Sequence, residues 1–310
     1  MKRGVAALTG ATGFLGAAVA RALVERGYRL RMLVRPGAAP PVPAEAVEGR
    51  LADVEALERL VEGAEVVIHT AGLIKARRPA DFLPVNVDGA RRMAAATAQK
   101  APHAHFLLIS SLTARAPEVS AYGASKAAGE AAVREVLGPE RLTIVRPPAI
   151  YGPGDRETLA LFKGVMSLPV IPAPGPERAR LALIHVEDAA AQIAALVERP
   201  ASGAVYALAD GRPEGYGWRE IVRTAGESLC RRPLVAPLPA AVLLAAGAAG
   251  SLLGRLGTAQ IFTLGKAREA VHGAWGVRPD ELAADLPAPR FDLPSGFADA
   301  VGWYRMQGWL

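Results

Sequence analysis

The glycine-rich stretch TGATGFLG at residues 9–16 constrains the fold more than any other feature of the chain. It follows a short apolar run at residues 5–9 and precedes a helical pattern over residues 14–26, and a second predicted strand covers residues 29–34. Glycines at this spacing permit a tight turn, a close approach of the backbone to a pyrophosphate, and close packing of the helix on the strand. The phosphate then lies at the helix N-terminus. The stretch therefore predicts a dinucleotide-binding strand–turn–helix unit.

The same region also resembles a secretory signal, because the basic start MKR leads into an apolar run with a small-residue ending at residues 18–20. Three glycines at a spacing of three are costly inside a helical apolar segment. The succession of strand, helix and strand favours the nucleotide unit, so we expect no cleavage after Ala20. The single cysteine, Cys230, rules out an internal disulfide framework and favours a reducing compartment, for which we predict the cytoplasm.

Further short apolar runs alternate with helical patterns along the first half of the chain. The runs lie at 66–69, 106–109 and 142–145, and the helical stretches lie near 53–61, 81–99 and 121–136. Runs without polar alternation are typical of parallel strands covered on both faces. The predicted fold class is therefore α/β, with a doubly wound (Rossmann), mostly parallel sheet. We expect a dinucleotide-binding domain over 1–150, with a returning segment near 181–210, and a smaller substrate-side region over 151–310.

The charge pattern argues against nucleic acid as a partner. The net charge is +6, but the 36 Lys and Arg are scattered and aromatics make up only 5% of the chain. A small-molecule substrate and an anionic cofactor explain the basic residues more simply.

One uncharged segment, residues 233–254, raises the question of a membrane. Pro237 and Pro239 restrict its helix to roughly fifteen residues, fewer than the ~20 that a span requires. We interpret it first as a buried or dimer-facing helix, which allows a homodimer. The alternative is contact with a membrane surface or an apolar substrate, and a true span is disfavoured.

The end of the second strand selects the cofactor. A carboxylate there binds the ribose 2′-hydroxyl of NAD, whereas an arginine meets the 2′-phosphate of NADP. No acidic residue occurs between Glu25 and Glu45, and Arg35 follows the strand. Because guanidinium groups bind phosphate well, we predict NADP(H), with NAD as the less favoured alternative in which Arg35 merely faces solvent.

A tyrosine and a lysine are the candidate residues for proton transfer. Tyr122 and Lys126 lie four residues apart in SAYGASKAAGE, hence on one face of a predicted helix. A neighbouring ammonium and a positively charged nicotinamide favour the phenolate, so Tyr122 can exchange a proton near neutral pH. Lys126 can also hold the nicotinamide ribose. The run 106–109 ends in Ser110 and Ser111, at the sheet edge where a hydroxyl can bind a substrate carbonyl.

With these residues in place, the chain resembles an extended short-chain dehydrogenase/reductase of the NAD(P)-dependent epimerase/dehydratase type over nearly all its length. Besides TGATGFLG, the matching pieces are VVIHTAG at 66–72, VNVDG at 85–89, FLLISS at 106–111, YGASK at 122–126, RPPAIYGPG at 146–154, IHVEDAA at 184–190 and the terminal WYRMQGWL. The resemblance implies a catalytic trio of Ser111, Tyr122 and Lys126, supported by Asn86. It also implies cofactor contacts from Gly10, Thr12, Gly13, Phe14, Leu15, Gly16, Ala71, Gly72, Tyr122, Lys126 and Pro147.

Three departures from the family pattern narrow the function. Sugar-nucleotide dehydratases have Thr-Asp-Glu after the edge strand, where this chain has Ser-Leu-Thr at 111–113, so we expect no dehydration. Arg50 stands where the family usually holds adenine with an aspartate, and we hypothesise that it faces the 2′-phosphate. Only ten residues separate Ser111 from Tyr122, which implies a more open cleft and a different or smaller substrate.

Two histidines need a separate interpretation. We predict that His69 packs at a strand end and that His185 and Asp188 mark a strand-to-helix junction. No cluster of ligands accompanies either of them, so we predict no metal site.

Three functions remain open at this point. The favoured one is an NADP-dependent reductase or dehydrogenase that transfers a hydride between nicotinamide and a carbonyl or alcohol substrate. It is similar to the dihydroflavonol-reductase and hydroxysteroid-dehydrogenase branches. The first alternative is a nucleotide-sugar epimerase that retains NAD, and the second is a non-catalytic NADP-binding assembly or sensor protein.

Overall fold

A computed structural model describes residues 3–174, 176–255 and 262–310 of the chain. The strands in these ranges are β1 (Val5–Thr9), β2 (Arg29–Val34), β3 (Glu45–Glu48), β4 (Val66–His69), β5 (His105–Ile109), β6 (Leu142–Arg146), β7 (Ala149–Tyr151), β8 (Val170–Pro174), β9 (Arg180–Leu181), β10 (Leu183–His185), β11 (Val205–Ala207), β12 (Leu234–Leu238) and β13 (Ala274–Trp275). The helices are α1 (Phe14–Glu25), α2 (Val54–Val61), α3 (Leu83–Asn86), α4 (Asp88–Lys100), α5 (Ala121–Arg134), α6 (Arg156–Ser167), α7 (Val186–Val197), α8 (Trp218–Ser228), α9 (Ala240–Arg255), α10 (Leu264–His272) and α11 (Leu293–Met306).

The main sheet has the order β11-β6-β5-β4-β1-β2-β3, and its neighbouring strands pair in parallel. In β1, Ala6 pairs with Leu30 of β2 on one side and with Val66 of β4 on the other. Ala6 and Leu8 are fully buried, as expected for a central strand with both faces covered. The predicted doubly wound parallel sheet is confirmed. The strand order reverses between β1 and β4, and the carboxyl ends of strands at such a point form the ligand crevice of these folds.

Two strands differ from what the sequence suggests. Strand β3 was not predicted, because it reads EAVE, has no apolar run and buries only Val47 at the sheet edge. Residues 181–185 suggest one strand but divide into β9 and β10, and β10 pairs with β7 outside the main sheet.

The chain divides into two compact units. The first is built from the described residues of Met1–Pro147, Ala189–Leu208 and Ala283–Pro287. It contains the main sheet and a hydrophobic core that includes Leu57, Met93 and Phe106.

The second unit is built from the described residues of Pro148–Asp188, Ala209–Leu282 and Ala288–Leu310. Its core is aromatic, with the rings of Tyr151 and Phe162 lying 5.1 and 5.2 Å from the ring of Phe297 in edge-on contacts. Buried Tyr304 donates its hydroxyl to the Asp155 carbonyl oxygen at 2.6 Å.

Candidate active site

The loop between β1 and α1 requires glycine at its two ends. Gly10 has a φ of +73°, and a Cβ there would lie 2.6 Å from Thr70 Oγ1 and 2.7 Å from the Ala71 nitrogen. A Cβ on Gly16 would collide with the carbonyl oxygen of Gly10. The helix therefore packs directly on the loop, and the loop backbone directly on the segment after β4.

Helix α1 begins without a side-chain cap. Gly13 is its N-cap residue in an extended conformation, and neither a capping side chain nor an acidic residue accompanies the first turn. Thr12 is exposed at this turn, and Phe14 and Leu15 are half-buried. Amide groups at a helix N-terminus, together with the helix dipole, favour an anion. The loop therefore fits the pyrophosphate of a dinucleotide.

The segment after β4 forms the other side of the site. Thr70 donates its hydroxyl to the Thr9 carbonyl oxygen at 2.6 Å, and Ala71 and Gly72 follow. A Cβ on Gly72 would lie 3.1 Å from Lys126 Nζ and 3.5 Å from Asn86 Oδ1. The fold therefore brings Gly72, Asn86 and Lys126 together from three separate elements.

Asn86 at the end of α3 is buried and uses its whole amide group. Its Oδ1 accepts from the Leu73 nitrogen at 2.7 Å, and its Nδ2 donates to the Leu73 carbonyl oxygen at 3.0 Å and to Ser125 Oγ at 2.9 Å. Ser125 Oγ in turn donates to the carbonyl oxygen of Tyr122 at 2.8 Å. Asn86 thus positions the loop after β4 against helix α5. Ser125 was not predicted, because its sequence signal is limited to its place between Tyr122 and Lys126.

Lys126 is a buried cation on α5. Its Nζ donates to the Ile109 carbonyl oxygen at 2.9 Å, at the carboxyl end of β5. Burial lowers the pKa of Lys126 to about 8, while the negative charge of Glu130, one helical turn away, raises it. The ammonium group therefore lies beside the two serines that follow β5.

The structure distinguishes those two serines. Ser110 is buried and donates its hydroxyl to Glu130 Oε1 at 2.5 Å. Ser111 is half-buried, and its Oγ accepts from the Thr113 nitrogen at 3.2 Å and from Thr113 Oγ1 at 2.9 Å. Since both of these bonds use the oxygen of Ser111, neither consumes its hydroxyl hydrogen.

Glu130 and Arg146 form an ion pair beneath the site. Arg146 Nε donates to Glu130 Oε1 at 2.8 Å, and Arg146 Nη2 donates to Oε2 at 2.6 Å. The pair joins α5 to the end of β6, next to Pro147, whose carbonyl oxygen accepts from the Leu112 nitrogen at 2.8 Å. This pair was not predicted, because its members lie sixteen residues apart on different elements.

Tyr122 lies in the first turn of α5 and is half-buried. Its ring centre is 6.0 Å from that of Phe82. Ser120 caps the helix by accepting from the Gly123 nitrogen at 3.0 Å. A Cβ on Gly123 would lie 2.7 Å from the Thr113 carbonyl oxygen, so the turn that carries Tyr122 packs against the segment that follows Ser111.

His69 is buried at the end of β4, and its Nδ1 is 2.8 Å from Thr9 Oγ1. Burial, and secondly the positive charge of Lys126, lower the pKa of His69 to about 3. The ring is therefore neutral near pH 7 and packs at the strand end, as predicted.

His185 ends β10 and α7 begins at Val186, so a strand-to-helix junction does lie there. Asp188 on that helix accepts from the backbone nitrogens of Arg290 and Phe291 at 3.0 Å each. In the ranges that the structure describes, no three His, Cys, Asp or Glu side chains are grouped as a metal site would require.

The two predicted phosphate ligands lie at neighbouring strand ends. Arg35 follows β2 and Arg50 comes two residues after β3, and both are exposed. Val34 pairs with Glu48 across these strands, and the Gly49 nitrogen donates to the Val34 carbonyl oxygen at 3.0 Å. Arg35 and Arg50 therefore lie at the carboxyl ends of the sheet strands, as the glycine loop does.

Known proteins resemble this chain in sequence and in fold. A sequence profile of the NAD dependent epimerase/dehydratase family matches residues 6–209. A ceramide reductase of Caulobacter vibrioides is 49% identical over 99% of this chain and 96% of that protein. The 4-hydroxy-2-methyl-3-oxo-4-farnesyl-3,4-dihydroquinoline-1-oxide ketoreductase of Stigmatella aurantiaca is 29% identical over 66% of this chain and 68% of that protein. The structure of Bordetella bronchiseptica WbmH in complex with NAD+ aligns with a TM-score of 0.74 at 18% identity over 99% of each chain, a likeness of fold alone.

Proposed function

The chain belongs to the NAD dependent epimerase/dehydratase family and is an oxidoreductase, and we propose that it uses NADPH to reduce a ketone on a ceramide-class lipid to a secondary alcohol. The substrate class comes from the ceramide reductase, which aligns along nearly the whole of both chains. The ketoreductase of Stigmatella aurantiaca supports carbonyl reduction in a more distant relative. One observation carries the mechanism: Lys126 bonds to the end of β5 beside Ser111, while the turn of Tyr122 packs on the next segment.

The side chains of the candidate site supply the groups that carbonyl reduction needs. When bound, the reduced nicotinamide supplies the hydride that adds to the ketone carbon. The Ser111 hydroxyl donates its hydrogen to the ketone oxygen, while its own oxygen accepts from Thr113. Tyr122 donates a proton to the same oxygen as negative charge develops there. The overall reaction converts a ketone, NADPH and a proton to a secondary alcohol and NADP+.

Lys126 influences the ionisation of Tyr122, and Asn86 positions the loop after β4. The ammonium group of Lys126 favours the phenolate that Tyr122 becomes, and solvent returns the proton. Asn86 holds Leu73 and Ser125 and thereby the spacing between the loop after β4 and helix α5. We assign Asn86 as a positioning residue for this reason.

The proton donor is tested with Tyr122→Phe and a matched control, Tyr28→Phe. Tyr28 is a buried tyrosine just before β2, at the opposite, amino end of the sheet strands. With a ketone-bearing ceramide as substrate, we expect Tyr122→Phe to lower kcat by at least about 100-fold, because a general acid is lost. Fluorescence titration should find NADPH affinity within about threefold of wild type, since the phosphate loop is untouched. Tyr28→Phe should retain wild-type turnover.

Unchanged turnover in Tyr122→Phe would contradict the mechanism. Wild-type protein that binds NADPH yet reduces no ketone would contradict the reductase and favour the assembly or sensor alternative. Purified protein that holds NAD+ tightly and interconverts nucleotide sugars would establish the epimerase alternative.

The choice of NADP rests on Arg35 and Arg50 beside the glycine loop. No acidic residue lies between Glu25 and Glu45, a stretch that includes the end of β2, and guanidinium groups suit the 2′-phosphate. We expect Arg35→Asp and Arg50→Asp each to weaken NADPH binding by about tenfold, or 1.4 kcal/mol, and to leave NADH binding nearly unchanged. Arg29→Asp, an exposed site at the start of β2, is the control for net charge. Equal losses for NADPH and NADH would assign both arginines a role unrelated to the phosphate.

A further inference from the structure

Helix α9 is uncharged from Ala240 to Gly254, and one of its faces packs on α10. Leu243 and Gly247 are buried on this inner face, and a Cβ on Gly247 would lie 2.7 Å from the Cβ of Ala267. Ser251 Oγ accepts from the Leu264 nitrogen at 2.9 Å. Small residues thus let the two helices approach closely.

The opposite face of α9 is apolar and exposed. It consists of Val242, Ala245, Ala246, Ala249, Leu252 and Leu253, which share one side of a helix. The exposed fractions of Val242, Leu252 and Leu253 are 50%, 61% and 53%. A surface helix of a water-soluble protein normally carries polar residues here. The interpretation of this segment as a buried helix therefore holds only for its inner face.

The strand before α9 also exposes apolar side chains. Leu234 of β12 pairs with Val170 of β8, and their side chains are 69% and 43% exposed. An open groove of about 880 Å³ is lined by these two residues and by Arg219, Glu220 and Arg223 of α8. Apolar side chains and charged groups of both signs therefore border the same groove.

In the sequence around α9 the charged residues have one sign, between Glu227 on one side and Glu269 on the other. Residues 228–268 contain Arg231, Arg232, Arg255, Lys266 and Arg268 but no aspartate or glutamate. Arg231 and Arg232 are exposed, whereas Lys266 forms an ion pair with Glu157 at 2.5 Å. Basic residues that flank an apolar helix in the sequence attract anionic lipid head groups.

We propose that α9 docks on the surface of an anionic phospholipid bilayer, with its exposed apolar face at the boundary between head groups and acyl chains. Sixteen residues of helix span about 24 Å, less than the ~30 Å hydrocarbon core, so α9 lies along the bilayer. Among the described helices none is long and apolar enough to cross a membrane. A second copy of the chain is disfavoured as the occupant, because a symmetric contact would bring like charges together.

Docking of α9 on a bilayer goes beyond the proposed function, because it does not depend on which substrate the protein reduces. The two fit together, since a lipid substrate resides in the membrane that α9 contacts.

The test is co-sedimentation of the full-length protein with vesicles of phosphatidylcholine alone or with about one third phosphatidylglycerol. We expect binding to the anionic vesicles and at least about tenfold weaker binding for the double variant Val242→Glu/Leu252→Glu. The control is Val54→Glu, which alters a side chain of similar exposure, 51%, on α2 of the first unit. It should bind as wild type does. Far-UV circular dichroism and NADPH binding should be unchanged in both variants.

Two results would overturn docking on the bilayer. One is wild-type protein that fails to bind anionic vesicles, or a double variant that binds them equally well. The other is a wild-type dimer that ignores vesicles and that Val242→Glu/Leu252→Glu converts to a monomer in light scattering, which would make the face an interface between copies. Turnover of a detergent-solubilised ketone tests the proposed function separately, because it requires no bilayer.

Discussion

Helices α5 and α9 are both rich in alanine and glycine and have 14 and 16 residues. Each departs differently from the rule that apolar side chains are buried and charged side chains are exposed. Helix α5 buries charged residues, Lys126 and Glu130, while α9 exposes Val242 and Leu252. In α5 each buried charge has a partner, from the Ile109 carbonyl oxygen or from Arg146. In α9 the apolar side chains of the outer face remain open to solvent. Similar composition therefore serves two different tasks.

The energetic reasons for the two arrangements differ. A buried charge costs several kcal/mol unless it is paired, so α5 can hold Lys126 only within a complete set of partners. An exposed apolar side chain leaves the folded protein almost as stable as a polar one would, but it favours contact of that surface with other apolar groups. We infer that the partners of α5 serve chemistry inside the unit, whereas the open face of α9 serves contact outside it.

The largest expected effect concerns the ion pair beneath α5. Glu130→Gln leaves the guanidinium of Arg146 without its carboxylate, and we expect the free energy of unfolding to fall by about 3–5 kcal/mol. Glu135→Gln is the matched control on the same helix, because the Arg91–Glu135 pair is exposed and should contribute less than about 1 kcal/mol. Urea unfolding measures both. Equal losses would mean that burial does not distinguish the two pairs.

The two faces of α9 give the next largest effect. Leu243→Ala empties a position packed on the inner face, and we expect it to lower the free energy of unfolding by about 2–3 kcal/mol. Leu252→Ala changes an exposed side chain and should stay within about 0.5 kcal/mol. Thermal or urea unfolding compares them directly. A large loss in Leu252→Ala would show that the outer face is packed in the protein.

The smallest expected effect is a pH dependence set by Lys126. Burial disfavours the charged form, so the ammonium loses its proton near pH 8, below the range of an exposed lysine. We expect kcat/KM for ketone reduction to fall as the pH rises through about 8, because the charge that favours the Tyr122 phenolate disappears.

Lys126→Arg provides the matching control. Its guanidinium keeps its proton, so the fall in kcat/KM near pH 8 should vanish whatever the absolute rate. A wild-type profile that stays flat to pH 10 would mean that Lys126 is solvated as an ordinary lysine.

The strands nearest the site were predictable because their signals are local. The bounds of β1 and β4 coincide with apolar runs in the sequence, those of β2 coincide with the strand predicted at 29–34, and glycine spacing marked the loop before α1. The family membership expected from the motifs is confirmed by the profile match and by the ceramide reductase relative. Strand β3 escaped because an edge strand buries only Val47 and needs no apolar run.

The sequence by itself determined the order of the elements and the residue types at the sheet edge, since strand periodicity, glycine conformation and the spacing of Tyr122 and Lys126 depend on near neighbours in the chain. Only the tertiary structure decided that Ser110 bonds to Glu130 while Ser111 stays half-buried, and that Lys126 is buried. It also decided which face of α9 stays open. Burial and hydrogen-bond partners depend on elements far apart in sequence, and no local pattern encodes which of them meet.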